Sequence, residues 1–571
     1  MVGEPLTWRR LLKPSAADMF LAAVAGSLFC RSQALHALLS DGDTGWHIRA
    51  GEAILASGRI PARDIFSFSR PAAPWFAWEW LSDVIFAWVY RLRGLEAVVA
   101  LAAAVIAAAA VLLFLWMLGR GCGLWVSAGA ALAAISAGSI HFLARPHVFS
   151  LLLLVAGLWL LDRDRRQATR AVWLAVPLAA VWANLHGGFL VWIAVLGLAA
   201  VAAAWERDRL RWRRYALVTA ASALATLANP YGWRLHQHIL SYLSSSWILD
   251  HVQEFQSPHI RSENMVVFAL LLLAGSAAAA LEMGRGRRFE PLLVWCLGFA
   301  ALRSARHVPL YALAAAPLVA SECAVWWRRA AAGRGPGSAL RIFWELGQDF
   351  GRARGIGVCG PLAAAALIAA GLSGARIVDF PRAKFPLAAI ENNRAILAPP
   401  GEMPRILTSD QWADYLLFRL YPRQRVFFDG RSDFYGPKLG DDYQVLEYGG
   451  IGWREMLARY GFELALLPRD WPLERLLAVD ADWERVYDDG QAALYRRRTA
   501  PAPKAVVADP LTGQPATLRA GNHGWPETAI WPAPAGGRDS ARARRHEAPL
   551  RTGARRQPVS GPFQPDDYWT H

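Results

Sequence analysis

Asp41-Gly42-Asp43-Thr44-Gly45-Trp46-His47-Ile48-Arg49 opens a polar stretch that runs through Gly58-Arg59-Ile60-Pro61 and Asp64-Ile65-Phe66-Ser67 and closes at Trp75-Phe76-Ala77-Trp78-Glu79-Trp80-Leu81-Ser82-Asp83. It follows directly on the first apolar segment. Asp41 and Asp43 are two carboxylates one residue apart at the mouth of an expected membrane helix. Such a pair shares a metal ion, or one acid acts as a base while the other tunes its pKa. A plainer reading has them cap the helix that follows, since Asp is a good N-cap. The rest of the chain reads as a scaffold that presents a cavity to this loop.

The composition supports a membrane scaffold. Of 571 residues, 54% are hydrophobic and 19% charged, and the mean hydropathy is +0.21. A soluble domain carries more charge and shorter apolar runs. The net charge of +15 does not point to nucleic acid, because the Arg residues sit in short loops between apolar segments. The five cysteines, Cys30, Cys122, Cys296, Cys323 and Cys359, lie in or beside apolar segments without metal-ligand spacing, so neither a disulfide framework nor a zinc site is expected.

About eleven segments are long enough for a ~30 Å hydrocarbon core. They lie near residues 16–38, 95–117, 123–142, 147–161, 171–185, 189–204, 215–229, 264–283, 289–303, 308–325 and 356–375. Arg9, Arg10 and Lys13 precede the first, and no small-x-small site ends it, so an uncleaved anchor is expected. Residues 79–93 are apolar but interrupted by Glu79, Asp83, Arg91 and Arg93, which suggests an amphipathic helix on the membrane surface. Glu79 and Asp83 share one face of it. They point either at a site or at water, and water is the preferred reading.

Arg163–Arg170, Arg207–Arg214, Arg285–Arg288 and Arg328–Arg334 fall in alternate loops. By the positive-inside rule these loops and the N-terminus are cytoplasmic. The other set of loops is then outside. It holds the Asp41 loop, Arg145-Pro146-His147, Asn184-Leu185-His186-Gly187-Gly188, Asn229-Pro230-Tyr231-Gly232 and Arg303-Ser304-Ala305-Arg306-His307. Arg on an outer face runs against the rule and asks for a negative partner, a phosphate or the Asp41 loop itself. Snorkelling to the interface is the simpler role for Arg145, His147, Arg303, Arg306 and His307. Asp64 either starts a turn or serves the site, and His186 is either a packed side chain or a ligand. His236 and His238 face different ways on a helix. The cluster of Trp belongs to an interfacial belt or stacks on a sugar ring.

Three domains are expected. Residues 1–375 form the membrane part, with its first outer loop at 41–93. Residues 376–498 carry short apolar runs at 405–408, 425–428 and 464–467 between helix-like stretches at 410–420 and 453–460. This predicts an extracytoplasmic α/β domain with a largely parallel sheet. Residues 499–571, rich in Pro, Arg, Gly and Ala, are expected to be a disordered tail.

The Asp41 to His47 run with its Asp-x-Asp motif, Gly58-Arg59-Ile60-Pro61, Glu79-Trp80-Leu81, Arg145-Pro146, Asn184-Leu185-His186-Gly187-Gly188, Asn229-Pro230-Tyr231-Gly232 and Phe428-Asp429-Gly430-Arg431-Ser432-Asp433-Phe434-Tyr435-Gly436 together resemble a bacterial branch of the GT-C superfamily of integral membrane glycosyltransferases. The resemblance covers residues 1 to about 498 and implies a polytopic α-helical fold in the bacterial cytoplasmic membrane. It implies transfer of a sugar from a polyprenyl-phosphate donor to a glycan, lipid or protein acceptor on the outer face, with membrane lipid as a partner and no nucleic acid. By position, the general base falls to Asp41 or Asp43. His47, Asp64, Glu79, Arg145, His147, Asn184, His186, Arg303, Arg306 and His307 are candidate substrate-binding residues, and the Arg side chains would hold the leaving phosphate by physical argument alone. No metal ligands are assigned. Some members bind a divalent metal, yet the second acidic motif they use is missing here, with Glu254 the nearest substitute, so the cofactor stays open. The competing class is a transporter or a polysaccharide-assembly partner. A transporter favours internal repeats, and none is seen. Asp429, Arg431 and Asp433 bind the acceptor in one reading; in the other the C-terminal domain only covers the cavity.

Overall fold

Ala, Leu and Val dominate the long apolar runs, and these become helices because such residues lose little conformational freedom there. The computed structural model describes residues 14–29, 32–351, 359–375 and 379–498. Each of the eleven expected stretches carries helix. Among the described residues, four helices are long and apolar enough to cross a membrane: Trp80–Gly119, Leu124–His141, Asn264–Gly284 and Ala305–Ala332. Ala16–Ser27, Arg170–Leu185, Phe189–Trp205 and Cys359–Gly371 are shorter apolar helices. The His147–Arg166 helix has the length, at 20 residues, but its last turn and a half carries Asp162, Arg163, Asp164, Arg165 and Arg166. The basic residues before the first helix, and the expected tail from 499, lie outside the described residues.

The longest helix, Trp80–Gly119, breaks at Arg93 (φ −154°) and Gly94 (φ 62°). A left-handed φ suits glycine, which has no Cβ to clash. The break falls where the amphipathic 79–93 segment was expected to give way to a spanning helix. The expected preference of Glu79 and Asp83 for water is wrong: Glu79 is 9% exposed and Asp83 is 0%. The exposed flank of this segment carries Trp88 and Leu92 together with Arg91 and Arg93.

The C-terminal sheet has four strands: β1 (Ile406–Leu407), β2 (Leu464–Pro468), β3 (Trp483–Asp488) and β4 (Ala492–Arg497). Their order is β1-β2-β4-β3. Only β1 and β2 are parallel; β2–β4 and β3–β4 are antiparallel. The expectation of a largely parallel sheet therefore fails. Its cause is the hairpin joining β3 to β4. Asp488 Oδ1 accepts the Gly490 N–H at 3.0 Å, Asp489 Oδ1 accepts the Ala492 N–H at 2.8 Å, and Gly490 has φ 85°. Asp-Gly between apolar runs is a hairpin signal, and it went unread at 489–490. Helices Asp410–Leu420 and Trp453–Tyr460 lie where expected.

Residues 425–428, expected as a strand of this sheet, pair elsewhere. The Val426 N–H donates to the Phe66 carbonyl and the Phe68 N–H to the Val426 carbonyl, each at 3.0 Å. Around this stitch, Phe66, Trp75 and Phe86 from the first segment share one hydrophobic core with Tyr415, Phe418, Phe427 and Phe428. Phe66, at 0% exposure, contributes on the order of 2–3 kcal/mol by its burial. A second core lies inside the helix bundle, around Trp182, Trp192, Phe268 and Tyr311. The described residues fall in one compact unit.

Candidate active site

The Asp43–Ser57 helix positions the first set of side chains, and glycine spacing explains how closely it is held. A Cβ on Gly42 would lie 2.4 Å from the Gln411 carbonyl, and one on Gly45 would lie 2.7 Å from that of Asp414. On another face, a Cβ on Gly51 would lie 1.9 Å from the Asp83 carbonyl. The helix is thus wedged between Asp410–Leu420 and the start of Trp80–Gly119. Asp41 does part of the capping job: its Oδ1 accepts the Asp43 N–H at 2.9 Å. Asp43 itself makes no side-chain cap and turns into a cavity.

Arg145 is the centre of charge. Its Nη1 lies 2.8 Å from Asp41 Oδ2 and 2.6 Å from Glu254 Oε1, and its Nη2 lies 2.7 Å from Asp43 Oδ2. Arg306 approaches the other oxygen of Glu254 at 3.4 Å. It also donates to the Tyr242 hydroxyl at 3.0 Å and lies over the Phe255 ring. Burial pushes the Asp43 carboxyl up to about 7, with Arg145 opposing and Asp41 and Glu254 assisting. Burial acts on Glu254 in the same sense, but Arg145 and Arg306 together outweigh it and hold that carboxyl below its ordinary value. Two neighbouring acids are thereby driven apart, the pattern expected where one must give and take a proton and the other stay charged.

A second set of groups faces the same cavity. His47 Nδ1 meets Asp83 Oδ1 at 2.6 Å, and its Nε2 faces Glu79 Oε2 at 3.7 Å. His186 Nδ1 accepts from the Gly188 N–H at 3.0 Å and meets Ser150 Oγ at 2.8 Å. An accepting Nδ1 leaves the proton on Nε2, which faces Glu79 Oε1 at 3.6 Å. Burial raises Glu79 to about 8, against Arg145 and Arg306, and burial holds His47 well below its ordinary value. At neutral pH Glu79 is therefore mostly a neutral acid between two neutral imidazoles.

The cavity measures about 110 Å³. Trp46, Trp75, Phe76, Trp78 and Tyr242 form its aromatic wall, and Gly430 to Asp433 close it from the C-terminal region. His238, on the rim, stacks on Phe76 with ring centroids 4.7 Å apart and meets Asp433 at 2.9 Å.

The structure brings Asp43, His47, Glu79, Arg145, His147 and His186 to the cavity lining, with Arg306. Asp41 reaches it through Arg145. Other candidates stand apart. Asp64 accepts the Ser67 N–H at 2.8 Å and pairs with the buried Arg431 at 2.8 Å, so it pins the first segment to the C-terminal region. Asp429 holds the same Arg431 at 2.7 Å; Arg431 also lines the cavity, and Asp429 does not. Asn184 accepts the Trp80 indole N–H at 3.0 Å and donates to the Ala180 and Ala228 carbonyls. Arg303 is exposed, and neither it nor His307 lines the cavity.

Sequence reading undervalued Glu254 and missed His141, Ser150, Tyr242 and Asp414. The Asp414 signal was present: one acid inside the otherwise apolar Trp412-Ala413-Asp414-Tyr415-Leu416-Leu417-Phe418, all of it buried. As for a divalent metal, no group of three or more His, Cys, Asp or Glu among the described residues is arranged to hold one. Asp41, Asp43 and Glu254 are already turned onto Arg145. The residues as placed do not form a ligand set.

No family model matches the sequence, and no curated protein does. Solved structures do resemble it. One is ArnT from Cupriavidus metallidurans bound to undecaprenyl phosphate, with 16% identity, 85% of this chain and 99% of that chain covered, and a TM-score of 0.47. Another is the archaeal oligosaccharyltransferase AglB from Archaeoglobus fulgidus, in complex with an inhibitory peptide and a dolichol-phosphate. It gives 12% identity, coverage of 86% and 74%, and a TM-score of 0.49.

Proposed function

We propose that the protein is a membrane glycosyltransferase that takes a sugar from a polyprenyl-phosphate carrier and transfers it to an acceptor hydroxyl on the outer face of the bacterial cytoplasmic membrane. The observation that carries the reading is the arrangement around Glu254. Two guanidinium groups, Arg145 and Arg306, converge on one carboxylate, and Asp43 sits on the far side of Arg145. An anion site stands beside a carboxyl poised near neutrality, which is what phosphate departure coupled to deprotonation of a hydroxyl requires.

In this reading the acceptor hydroxyl gives its proton to Asp43 as its oxygen bonds to the anomeric carbon. The bond from that carbon to the phosphate oxygen breaks. Arg145 and Arg306 hold the charge that develops on the leaving phosphate, at the place where Glu254 lies in the free protein. The aromatic wall of Trp75, Phe76 and Trp78 packs on the apolar face of the sugar and excludes water. The C-terminal region, residues 379–498, is extracytoplasmic and completes the cavity through Gly430 to Asp433.

Two measurements test this. A cysteine at Ile451, a fully exposed position in the C-terminal region, is expected to react with an impermeant reagent added to intact cells stripped of their outer layers. Reaction only after the membrane is opened would place the site in the cytoplasm. Polyprenyl phosphate is expected to bind purified protein with an affinity that falls in Arg145→Lys and Arg306→Lys, because a point charge does not replace a planar fork. Arg303→Lys is expected to bind as the parent does. Unchanged affinity in the first two would leave those Arg residues with structural roles.

A further inference from the structure

The proposed base has a second contact that the proposed reaction does not use. Asp43 Oδ2 is on Arg145, but Asp43 Oδ1 is buried and meets no N–H or hydroxyl donor among the described residues. What it faces is the Asp414 carboxyl. Both carboxyls press on Gly430: a Cβ there would lie 1.9 Å from Asp43 Oδ1 and 2.9 Å from Asp414 Oδ2. Asp414 is 0% exposed and sits on the Asp410–Leu420 helix, far along the chain from Asp43. Two buried carboxylates cannot face each other without a proton between them, since neither has a donor to offer.

The neighbours decide where that proton sits. Asp43 faces Arg145, with Asp41, Glu254 and Glu79 nearby. Its charged form therefore has a guanidinium at 2.7 Å. Asp414 faces Asp43, Asp429 and Asp410. Its one backbone donor is the Gly430 N–H, at 3.2 and 3.3 Å from its two oxygens. Asp429 is occupied by Arg431. Charge on Asp414 would thus meet three acids and one weak amide bond.

We propose that Asp414 is a positioning residue for Asp43: it keeps its own proton and donates it to Asp43 Oδ1, so that Asp43 alone of the pair ionises and its reactive oxygens are held in place. Burial, the largest influence, and the surrounding acids all push Asp414 well above the ordinary carboxyl value, which agrees with the geometry. The C-terminal region would then do more than cover the cavity. It would supply the hydrogen bond that sets the base.

This inference rests on Asp43 being the base, and its test has one arm that needs no sugar transfer. Infrared difference spectra of the purified protein, taken above the ionisation of Asp43, are expected to show, beside the band of protonated Glu79, a carboxylic-acid C=O band that Asp414→Asn abolishes. A spectrum without that band, or one in which Asp414→Asn leaves it, overturns the proposal even if the protein turns out not to transfer sugar. The kinetic arm compares two replacements of similar size. Asp414→Asn keeps a neutral donor, so the acidic limb of the rate profile is expected to stay in place while the maximal rate falls several-fold. Asp414→Leu removes the donor, so the limb is expected to move to higher pH by about one unit, with KM little changed. A purely structural Asp414 predicts less folded protein and the parental pH profile in both variants. If Asp414→Leu does not fold, the infrared band in the parent and in Asp414→Asn decides.

Discussion

Two charge clusters stand at opposite ends of the His147–Arg166 helix, about 30 Å apart for a helix of this length. At its start, Arg145 meets three carboxylates, Asp41, Asp43 and Glu254. At its end the balance is reversed. Arg120 and Arg166 each reach Asp162 at 3.2 Å, Arg165 reaches Glu290 at 3.1 Å, and the Trp116 indole N–H donates to Asp162 at 2.7 Å. Three cations there share two acids, and the cavity among them measures about 20 Å³. Ionic contacts at similar distances therefore serve two ends. Cation excess around paired acids ties helices together. Three acids against two cations, Arg145 and Arg306, next to a larger cavity, leave a carboxyl raised to about 7 and room for a substrate.

The largest expected effect comes from removing one acid at each end. Asp43→Asn keeps the shape and removes the base, so the maximal rate is expected to fall on the order of 10²–10⁴-fold with binding less affected. Asp162→Asn is expected to leave the rate per folded molecule near the parental value and to lower thermal stability, by about 3 kcal/mol for a broken buried pair. Rates normalised to folded protein, beside thermal melts in detergent, check both. Equal losses of rate at the two ends would erase the distinction.

Next in size is the Arg pair. Arg145→Lys is expected to weaken binding of polyprenyl phosphate by roughly tenfold, about 1.4 kcal/mol, whereas Arg120→Lys is expected to leave it alone. Titration of detergent-solubilised protein with the lipid distinguishes them.

Much of this was legible in the chain. The Asp-x-Asp run, Arg145 and His186 could be read as one set because their loops alternate with the Arg-rich ones, whereas Glu79 was read as facing water. What sequence alone does not show is why the run holds Gly42 and Gly45. Their roles belong to Gln411 and Asp414, residues hundreds of positions away whose backbone comes too close for a side chain. Glu254 looked weak because its partners, Arg145 and Arg306, are joined to it only by folding. Asp64 misled for the converse reason: as an acid in the same loop it looked like its neighbours, but a turn directs it onto Arg431. The sheet was misread because buried strands such as β2 look alike in parallel and antiparallel sheets.

The smallest expected effect is a shift in pH. Activity should rise as pH climbs through about 7, the value to which burial lifts Asp43, because the base works deprotonated. Glu254 contributes to that upward shift by repulsion. Glu254→Gln removes the repulsion and leaves Arg145 more available to Asp43, so the acidic limb is expected to move to lower pH by less than one unit. Replacing Glu290, at the other end, should not move it. Rate profiles across the limb measure the shift. A limb displaced upward in Glu254→Gln would contradict the assigned charges.

The most direct test of the whole account is sugar transfer itself. Purified protein is placed in liposomes that contain a radiolabelled polyprenyl-phosphate sugar, and envelope extract is supplied as acceptor. The account predicts that label leaves the lipid and appears in an acceptor with the parent protein, and that it does so far more slowly with Asp43→Asn. Label that stays on the lipid with both proteins, or crosses the bilayer still attached to its carrier, would contradict it and leave a carrier protein built on this scaffold.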